Sequence, residues 1–557
     1  MSGVSTKSID HLGLVAGMID ELQIKQNIEE LLPSNSEDKK ISHATAITAM
    51  ILNGLGYVNK QLYLTPRFFE KKATEHLLGD GVKAEYLNKD TLSRTLDAIY
   101  EYGVSDLYEK ISHKAVTLLG LNPTTVHLDS TSFHLDGEYK DSQALKNNTE
   151  QDVQPTPIRL IKGYSRDHHP NLNQVVLNLI VEHQAGIPLI MRAADGNQID
   201  AKAFAFIVDA HIDSLKAMSS STMTLIADAA LFTQKGLEAI KAKEIQFISR
   251  VPNKLKEAKA LIEGECPNRL IHLDENYSFS EQILSYADIQ QKWVVYKSAL
   301  AAHKEDRTLC KQLLRESLES SKAANKLMNH PFYCEADAKE ALQTFQAKHR
   351  LLEFTQESLI AKAKFKTKGR PKPDQGVDHY EYYWQFDITM PTTIFKEQSQ
   401  EESGYFILAT NNLSLTPQEL LSEYKSQQRV ERGFRFLKSP EFLSDALFLK
   451  KPQRIEAMLM IMTLCLMVYA ALEYKIRKEL TQQNQTFPNQ LGKPVQNPTA
   501  RWIFENFHEI QIVIIDILKQ KVIANLLQRN HSILDLLGPN YWRYYTIDDK
   551  LENWGAK

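Results

Sequence analysis

Residues 223–251 read MTLIADAALFTQKGLEAIKAKEIQFISRV. An apolar run from Met223 ends on Asp228, a 3.6-residue periodicity follows near Gln234 to Lys243, and a second apolar run spans Gln246 to Val251. The stretch therefore predicts strand, helix, strand, the unit from which parallel sheets are assembled. Working outward toward the N-terminus, a helical pattern covers Asp200 to about Leu215. Before it come short β-type runs at Thr125–Asp129, Pro157–Ile161, Gln174–Val181 and Ile187–Met191, from which a three-stranded meander is expected.

The resulting order, β-β-β-α-β-α-β, is that of an RNase H-like sheet, in which acidic residues at the ends of the first and fourth strands come together. The fold class expected is α/β: an RNase H-like mixed sheet with flanking helices, interrupted by a mixed α+β insertion and preceded by an all-α domain. The domains are expected at 1–120 (helical), 121–251 (first part of the α/β domain), 252–417 (insertion), 418–478 (second part of the α/β domain) and 479–557 (helical tail). The tail is expected to contain a helix from Ile510 to Leu518. Helices are expected in the insertion between about Ala301 and Ile360, with strands around Trp293 and Trp384.

The chain has 557 residues, 43% hydrophobic and 24% charged, which is globular composition and excludes a collagen, a coiled coil or a disordered chain. Its four cysteines, Cys266, Cys310, Cys334 and Cys465, form no C-x-x-C, so neither a disulfide framework nor a zinc knuckle is expected and a cytoplasmic setting fits. Met1 to Lys7 lack the pattern of a signal peptide. Ala457 to Leu472 is apolar except for Thr463, yet sixteen residues reach only about 24 Å, short of a roughly 30 Å hydrocarbon core. A buried helix, not a membrane span, is expected there.

The net charge of −3 argues against a protein that coats nucleic acid indiscriminately. Locally the balance reverses. Between Lys425 and Arg454 stand eight bases (Lys425, Arg429, Arg432, Arg435, Lys438, Lys450, Lys451, Arg454) against three acids (Glu431, Glu441, Asp445). Such an excess facing a duplex supplies salt-dependent phosphate binding. Two weaker signals point the same way. Lys89, Ser93 and Arg94 could sit on a DNA-reading helix or on an ordinary helical pair. Lys362–Lys372, which contains Gly369-Arg370-Pro371, could enter a minor groove, although a solvated basic loop is the plainer reading.

Asp129 and Asp228 each end or interrupt an apolar strand, where a carboxylate is costly unless it is paired or binds a metal. Each reads as a ligand or as a turn residue. Tyr424 to Lys438, drawn as one helix at 100° per residue, puts Gln428, Glu431, Arg435 and Lys438 within about 40° of Tyr424. Val430, Phe434 and Leu437 fall on a neighbouring apolar stripe.

Together these residues resemble the DDE transposases of bacterial insertion sequences. Asp129, Asp228 and Glu431 look like the triad, and Tyr424-x2-Gln427-x3-Glu431-x6-Lys438 resembles the Y-x2-R-x3-E-x6-K signature. Gly163–Pro170, Gly196-Asn197 and Val430–Lys438 look like the subgroup with a large insertion before the glutamate. The resemblance implies that Asp129, Asp228 and Glu431 hold two Mg²⁺ ions, which Mn²⁺ can replace, and that the enzyme cleaves DNA at element ends and transfers the strand. It implies DNA contacts from Tyr424, Gln427, Arg429, Arg435 and Lys438. Gln427 departs from the signature arginine, and Arg429 or Arg435 are the candidates to substitute for it. The partners implied are double-stranded DNA, both terminal inverted repeats and target, and further copies of the chain in a homodimer or higher synaptic oligomer. No membrane is implied; the expected location is the bacterial cytoplasm, on the nucleoid when DNA is bound. In relatives with a β-rich insertion an aromatic stacks on a flipped base, and Trp293 and Trp384 are candidates, with a core position the plainer reading of each. The alternatives are an inactive descendant that only binds DNA and an RNase H-like nuclease without strand transfer.

Overall fold

The computed structural model describes residues 3–34, 40–57, 62–135, 157–163, 171–264, 269–349, 352–366, 376–389, 403–439, 449–515 and 520–547. Two compact units emerge: the first comprises 1–250, 285–291 and 410–557, and the second 251–284 and 292–409.

The sheet of the first unit holds β1 (Thr125–Leu135), β2 (Asn173–Glu182), β3 (Pro188–Asp195), β4 (Thr224–Ala227) and β5 (Gln246–Val251), in the order β3-β2-β1-β4-β5. β1, β2 and β3 form an antiparallel meander, while β4 and β5 run parallel to β1. Each parallel step is made through a helix, Asp200–Met218 before β4 and Gln234–Ala242 before β5. This is the β-β-β-α-β-α-β order read from the sequence, in an RNase H-like arrangement. The expected strand at Pro157–Ile161 is reduced to one bridge, Ile161 to Gln174. That segment instead runs past the end of β3, where the Arg159 N–H donates to the Asp195 carboxylate and the Gly196 N–H to the Arg159 carbonyl.

The apolar run expected as a buried helix lies within a 31-residue helix, Pro452–Gln482, buried almost continuously from Ile455 to Leu472 and then only at Ile476 and Leu480. By length and composition it could cross a membrane; here it packs against β3 and against the helices Leu12–Glu21, His43–Gly54, Lys89–Tyr102, Val104–Leu119 and Gln528–Leu537. It is the common axis around which the N-terminal helices and the C-terminal segment gather. Burying an apolar side chain contributes about 1.5–3 kcal/mol, so a helix apolar all round is stable only inside such a bundle.

Two expectations fail at the chain ends. The first 120 residues are not all helical, because Val4–Ser8 is a strand, and Ile510–Leu518 is not a helix, because Gln511–Ile515 is a strand. The two pair antiparallel, with Gln520–Ala524 on the other side. Ile512-Val513-Ile514-Ile515 is a β-branched run whose stiff side chains favour extended backbone once a partner strand is present.

The second unit holds the strand Ile271–Asp274, most of the strands Tyr277–Tyr286, Ile289–Ser298 and Tyr405–Thr410, the helices Ala299–Met328 and Glu335–Lys348, and the hairpin Glu353–Lys364 with His379–Thr389. Helix was expected as far as Ile360, but that residue lies in a strand of the hairpin. Ala324, Phe332, Ala338, Leu342, Trp384 and Phe386 form a core there.

Candidate active site

The parallel register fixes the site. Leu128 of β1 pairs with Ala227 of β4, and Ala227 pairs with Ser249 of β5. All three are buried. One residue further come Asp129 within β1, Asp228 immediately past the end of β4, and Arg250 within β5. Side chains alternate faces along a strand, so Asp129 and Arg250 point away from the buried row; the two aspartates are half-buried and Arg250 is exposed. Asp129 Oδ1 accepts the Ser130 N–H at 2.7 Å, Asp228 Oδ1 accepts the Ala230 N–H at 2.9 Å, and Ser249 Oγ donates to the Asp228 carbonyl. The first two bonds orient the carboxylates from neighbouring backbone N–H groups, and the third holds the Asp228 backbone.

The rival acids lie elsewhere. Asp195 is held by Arg159 in an ion pair at 2.6 Å at the end of β3. Asp200 accepts from Ser130 Oγ at 2.8 Å, and Ser130 points to the face opposite Asp129.

The third element is not one continuous helix. Thr416 caps the helix Pro417–Lys425 through a capping box with Glu419; a turn at Ser426 and Gln427 follows, and a second helix spans Gln428–Leu437. Neither proline nor glycine causes the turn. Ser426 Oγ lies 3.2 Å from Nε2 of the buried His127 on β1, and the Gln427 side chain is itself buried, so tertiary contacts fix it. The wheel drawn from Tyr424 is corrected accordingly, since Tyr424 belongs to the preceding helix. Within Gln428–Leu437 the apolar stripe holds: Val430, Phe434 and Leu437 are buried, while Gln428, Glu431, Arg432 and Arg435 are exposed. Lys438 is the C-cap residue. The helix packs on β1 and on Pro452–Gln482, and Gly433 leaves room for Leu466, which would lie 3.1 Å from an added Cβ.

Tyr424 links the parts. Burial, with the negative charges of Asp228, Asp129 and Glu431, pushes its phenol up to about 12, against the opposing pull of Arg250. One half-buried phenol thus senses all three acids and the one cation of the β5 row. At neutral pH it is an uncharged hydrogen-bond donor.

Other sequence candidates are placed differently. Gln427 is buried and does not face solvent; the Arg429 side chain lies outside the described residues. Arg454 is committed to Asp97 by two hydrogen bonds of 2.7 Å, so the local basic excess is smaller than its count suggests. Ser93 is buried, and ten residues including a 3₁₀ turn separate the helices Thr74–Leu78 and Lys89–Tyr102, too many for the short turn of a helix-turn-helix. Lys89 and Arg94 remain exposed. Trp293 is fully buried, and Trp384, also buried, donates its Nε1–H to the Ala338 carbonyl at 2.6 Å, so both are core residues and not stacking platforms. Tyr164–Pro170, Thr367–Lys372, Glu441 and Asp445 lie outside the described residues. Arg250 was not singled out from sequence; its one signal is a cation closing an apolar strand two positions before a proline.

Among the described residues no three His, Cys, Asp or Glu side chains are gathered into a ready metal cage. The donor set still suits a hard divalent cation, because two aspartates that follow paired strand residues and a glutamate on the helix packed against β1 offer only carboxylate oxygens, the ligands that Mg²⁺ and Mn²⁺ prefer.

No curated protein matches the chain. Among solved structures, the piggyBac transposase synaptic complex with hairpin DNA is similar over 98% of this chain and 88% of that one, at a TM-score of 0.39 and 8% identity, a likeness too loose to carry an argument. Residues 4–113 match a domain of unknown function, DUF4277. Residues 122–468, more than half of the chain and the whole span from β1 into the long buried helix, match the transposase DDE domain, and the chain belongs to that family of DNA transposases.

Proposed function

We infer that the chain catalyses metal-dependent cleavage at the ends of a mobile DNA element and joins the freed ends to a target, with Asp129, Asp228 and Glu431 as the triad. The observation that carries this reading is that Asp129 and Asp228 directly follow the paired residues Leu128 and Ala227, while the helix that carries Glu431 packs on β1. The three carboxylates would hold two Mg²⁺ ions, with Mn²⁺ a substitute; when bound, the ions lower the pKa of the attacking oxygen and stabilise the leaving one. The chain's own groups do the rest. Asp129 and Asp228 are held by local backbone N–H groups, so their oxygens are positioned before any substrate arrives. Tyr424 donates its phenolic proton to a phosphate oxygen, and Arg435 and Lys438 hold further phosphates by charge. In cleavage, water adds to a phosphodiester phosphorus and the 3′-oxygen leaves, taking up a proton; in joining, that 3′-hydroxyl loses its proton and attacks a target phosphodiester, expelling another 3′-oxygen.

The reading assigns residues 121–251 and 418–478 to the catalytic domain, 252–417 to its insertion, 1–120 to a candidate end-binding domain and 479–557 to the tail. The partners are double-stranded DNA and further copies of the chain in a synaptic dimer or larger assembly, in the bacterial cytoplasm. The test is incubation with Mg²⁺, a linear duplex carrying the DNA that flanks the coding region, and a supercoiled plasmid. Cleaved ends that become joined to the plasmid support the proposal; cleavage without joining identifies a nuclease, and binding without cleavage an inactive descendant.

A further inference from the structure

We propose that Arg250, at the end of β5, is a phosphate-holding residue of the active site and takes over the role of the arginine that Gln427 replaces. The inference rests on the triad reading above and adds to it a residue outside the recognised signature.

Three observations carry it. The first is register: Leu128, Ala227 and Ser249 pair in a buried row across β1, β4 and β5, and the residues that directly follow them are Asp129, Asp228, just past the end of β4, and Arg250. Arg250 thus follows Ser249, which sits one strand spacing of about 4.8 Å from Ala227, the residue before Asp228. The second is exposure: Arg250 is open to solvent at the edge of the acidic pair. A guanidinium there can reach the phosphate on which the carboxylates act, and its planar fork matches two phosphate oxygens at once. The third is that the signature position is unusable. Gln427 carries no charge, is buried, and sits in the turn between two helices.

A purely structural alternative exists: Arg250 could balance the carboxylates and never touch DNA. The two roles separate in the salt dependence of binding. A cation that meets a phosphate releases about one counterion, so its loss lowers the slope of log affinity against log salt by about one unit, whereas a cation serving only its neighbours leaves that slope alone.

The experiment uses the full-length chain and a duplex carrying the element end, with binding measured across a salt series, cleavage measured in Mg²⁺, and thermal unfolding as the check on folding. Arg250→Ala is expected to lower the salt slope by about one unit and to slow cleavage at least tenfold. Arg250→Lys is expected to keep the slope, since the charge remains, while losing part of the rate, since the bidentate fork is gone. Gln427→Ala is expected to leave the slope as it is. If Arg250→Ala unfolds, Arg250→Gln, which removes the charge at similar length, takes its place. An Arg250→Ala or Arg250→Gln protein that folds, cleaves at the wild-type rate and keeps the full salt slope overturns the proposal. Asp228→Asn in the same assay separates the two levels: cleavage at the wild-type rate there overturns the triad reading itself, whereas abolished cleavage beside an unchanged Arg250→Ala slope overturns only the role of Arg250.

Discussion

Val430→Asp tests the local geometry on which Glu431 depends. Val430 is 1% exposed and shares its stripe with Phe434 and Leu437, all turned into the core beside the long buried helix. Removing the valine forfeits about 1.5–3 kcal/mol of burial. A carboxylate put in its place has no cation on that stripe and bears an effective desolvation penalty of several kcal/mol, which protonation can only partly relieve. The sum is on the order of 5 kcal/mol, set against a total stability of roughly 5–15 kcal/mol for a folded domain. The matching control is Gln428→Asp, which places the same charge on the exposed first turn of the same helix, where the helix dipole favours it and the change should stay within about 0.5 kcal/mol. Urea unfolding followed by circular dichroism, with limited proteolysis across 417–439, reads both. The expected outcome is a large fall in midpoint and early cleavage of this segment in Val430→Asp, with Gln428→Asp close to wild type. A Val430→Asp protein that unfolds at the wild-type midpoint refutes the stripe, and the placement of Glu431 on the facing side would go with it.

Trp384→Ala should cost about 3–5 kcal/mol in the second unit, since it empties a core position and strips the Ala338 carbonyl of its partner; hydrogen exchange at residues 324–345 would show the loosening, and unchanged protection there would contradict the core assignment. Glu456 gives a pH-dependent prediction. Burial pushes its carboxyl up to about 7, with Arg192 pulling the other way, so between pH 4.5 and 7 the unfolded chain loses a proton that the folded chain keeps, and stability falls as pH rises through that window. Glu456→Gln removes the effect: its unfolding midpoint should gain on wild type from pH 4.5 to 7 and match it below, and a difference that stays flat with pH would refute the buried-carboxyl account.

What the sequence made legible was local. Apolar runs of strand length marked β1, β2, β3, β4 and β5, and a carboxylate closing such a run marked Asp129 and Asp228, because the pattern and the cost of the charge both live within a few residues. The apolar length of Ala457–Leu472 marked a helix needing burial on all sides. What stayed hidden depends on partners far along the chain. Gln511–Ile515 is a strand because Val4–Ser8 lies beside it, and no local window contains both. The turn at Ser426 and Gln427 carries no proline or glycine and is set by His127, some 300 positions earlier. Arg454 looked like part of a basic track until Asp97 was found across from it. Arg250 gains its meaning only from the register that sets it beside Asp228.

The most direct test of the account is cleavage of an element-end duplex in Mg²⁺ by Asp129→Asn, Asp228→Asn and Glu431→Gln, each first checked for wild-type unfolding and end binding. Each change keeps the size of the side chain and removes one metal-binding charge. The account predicts that all three bind the duplex and that none cleaves it above about a thousandth of the wild-type rate, a loss of roughly 4 kcal/mol or more in transition-state stabilisation. Any one of them cutting at the wild-type rate would contradict the assignment of Asp129, Asp228 and Glu431 as the catalytic triad.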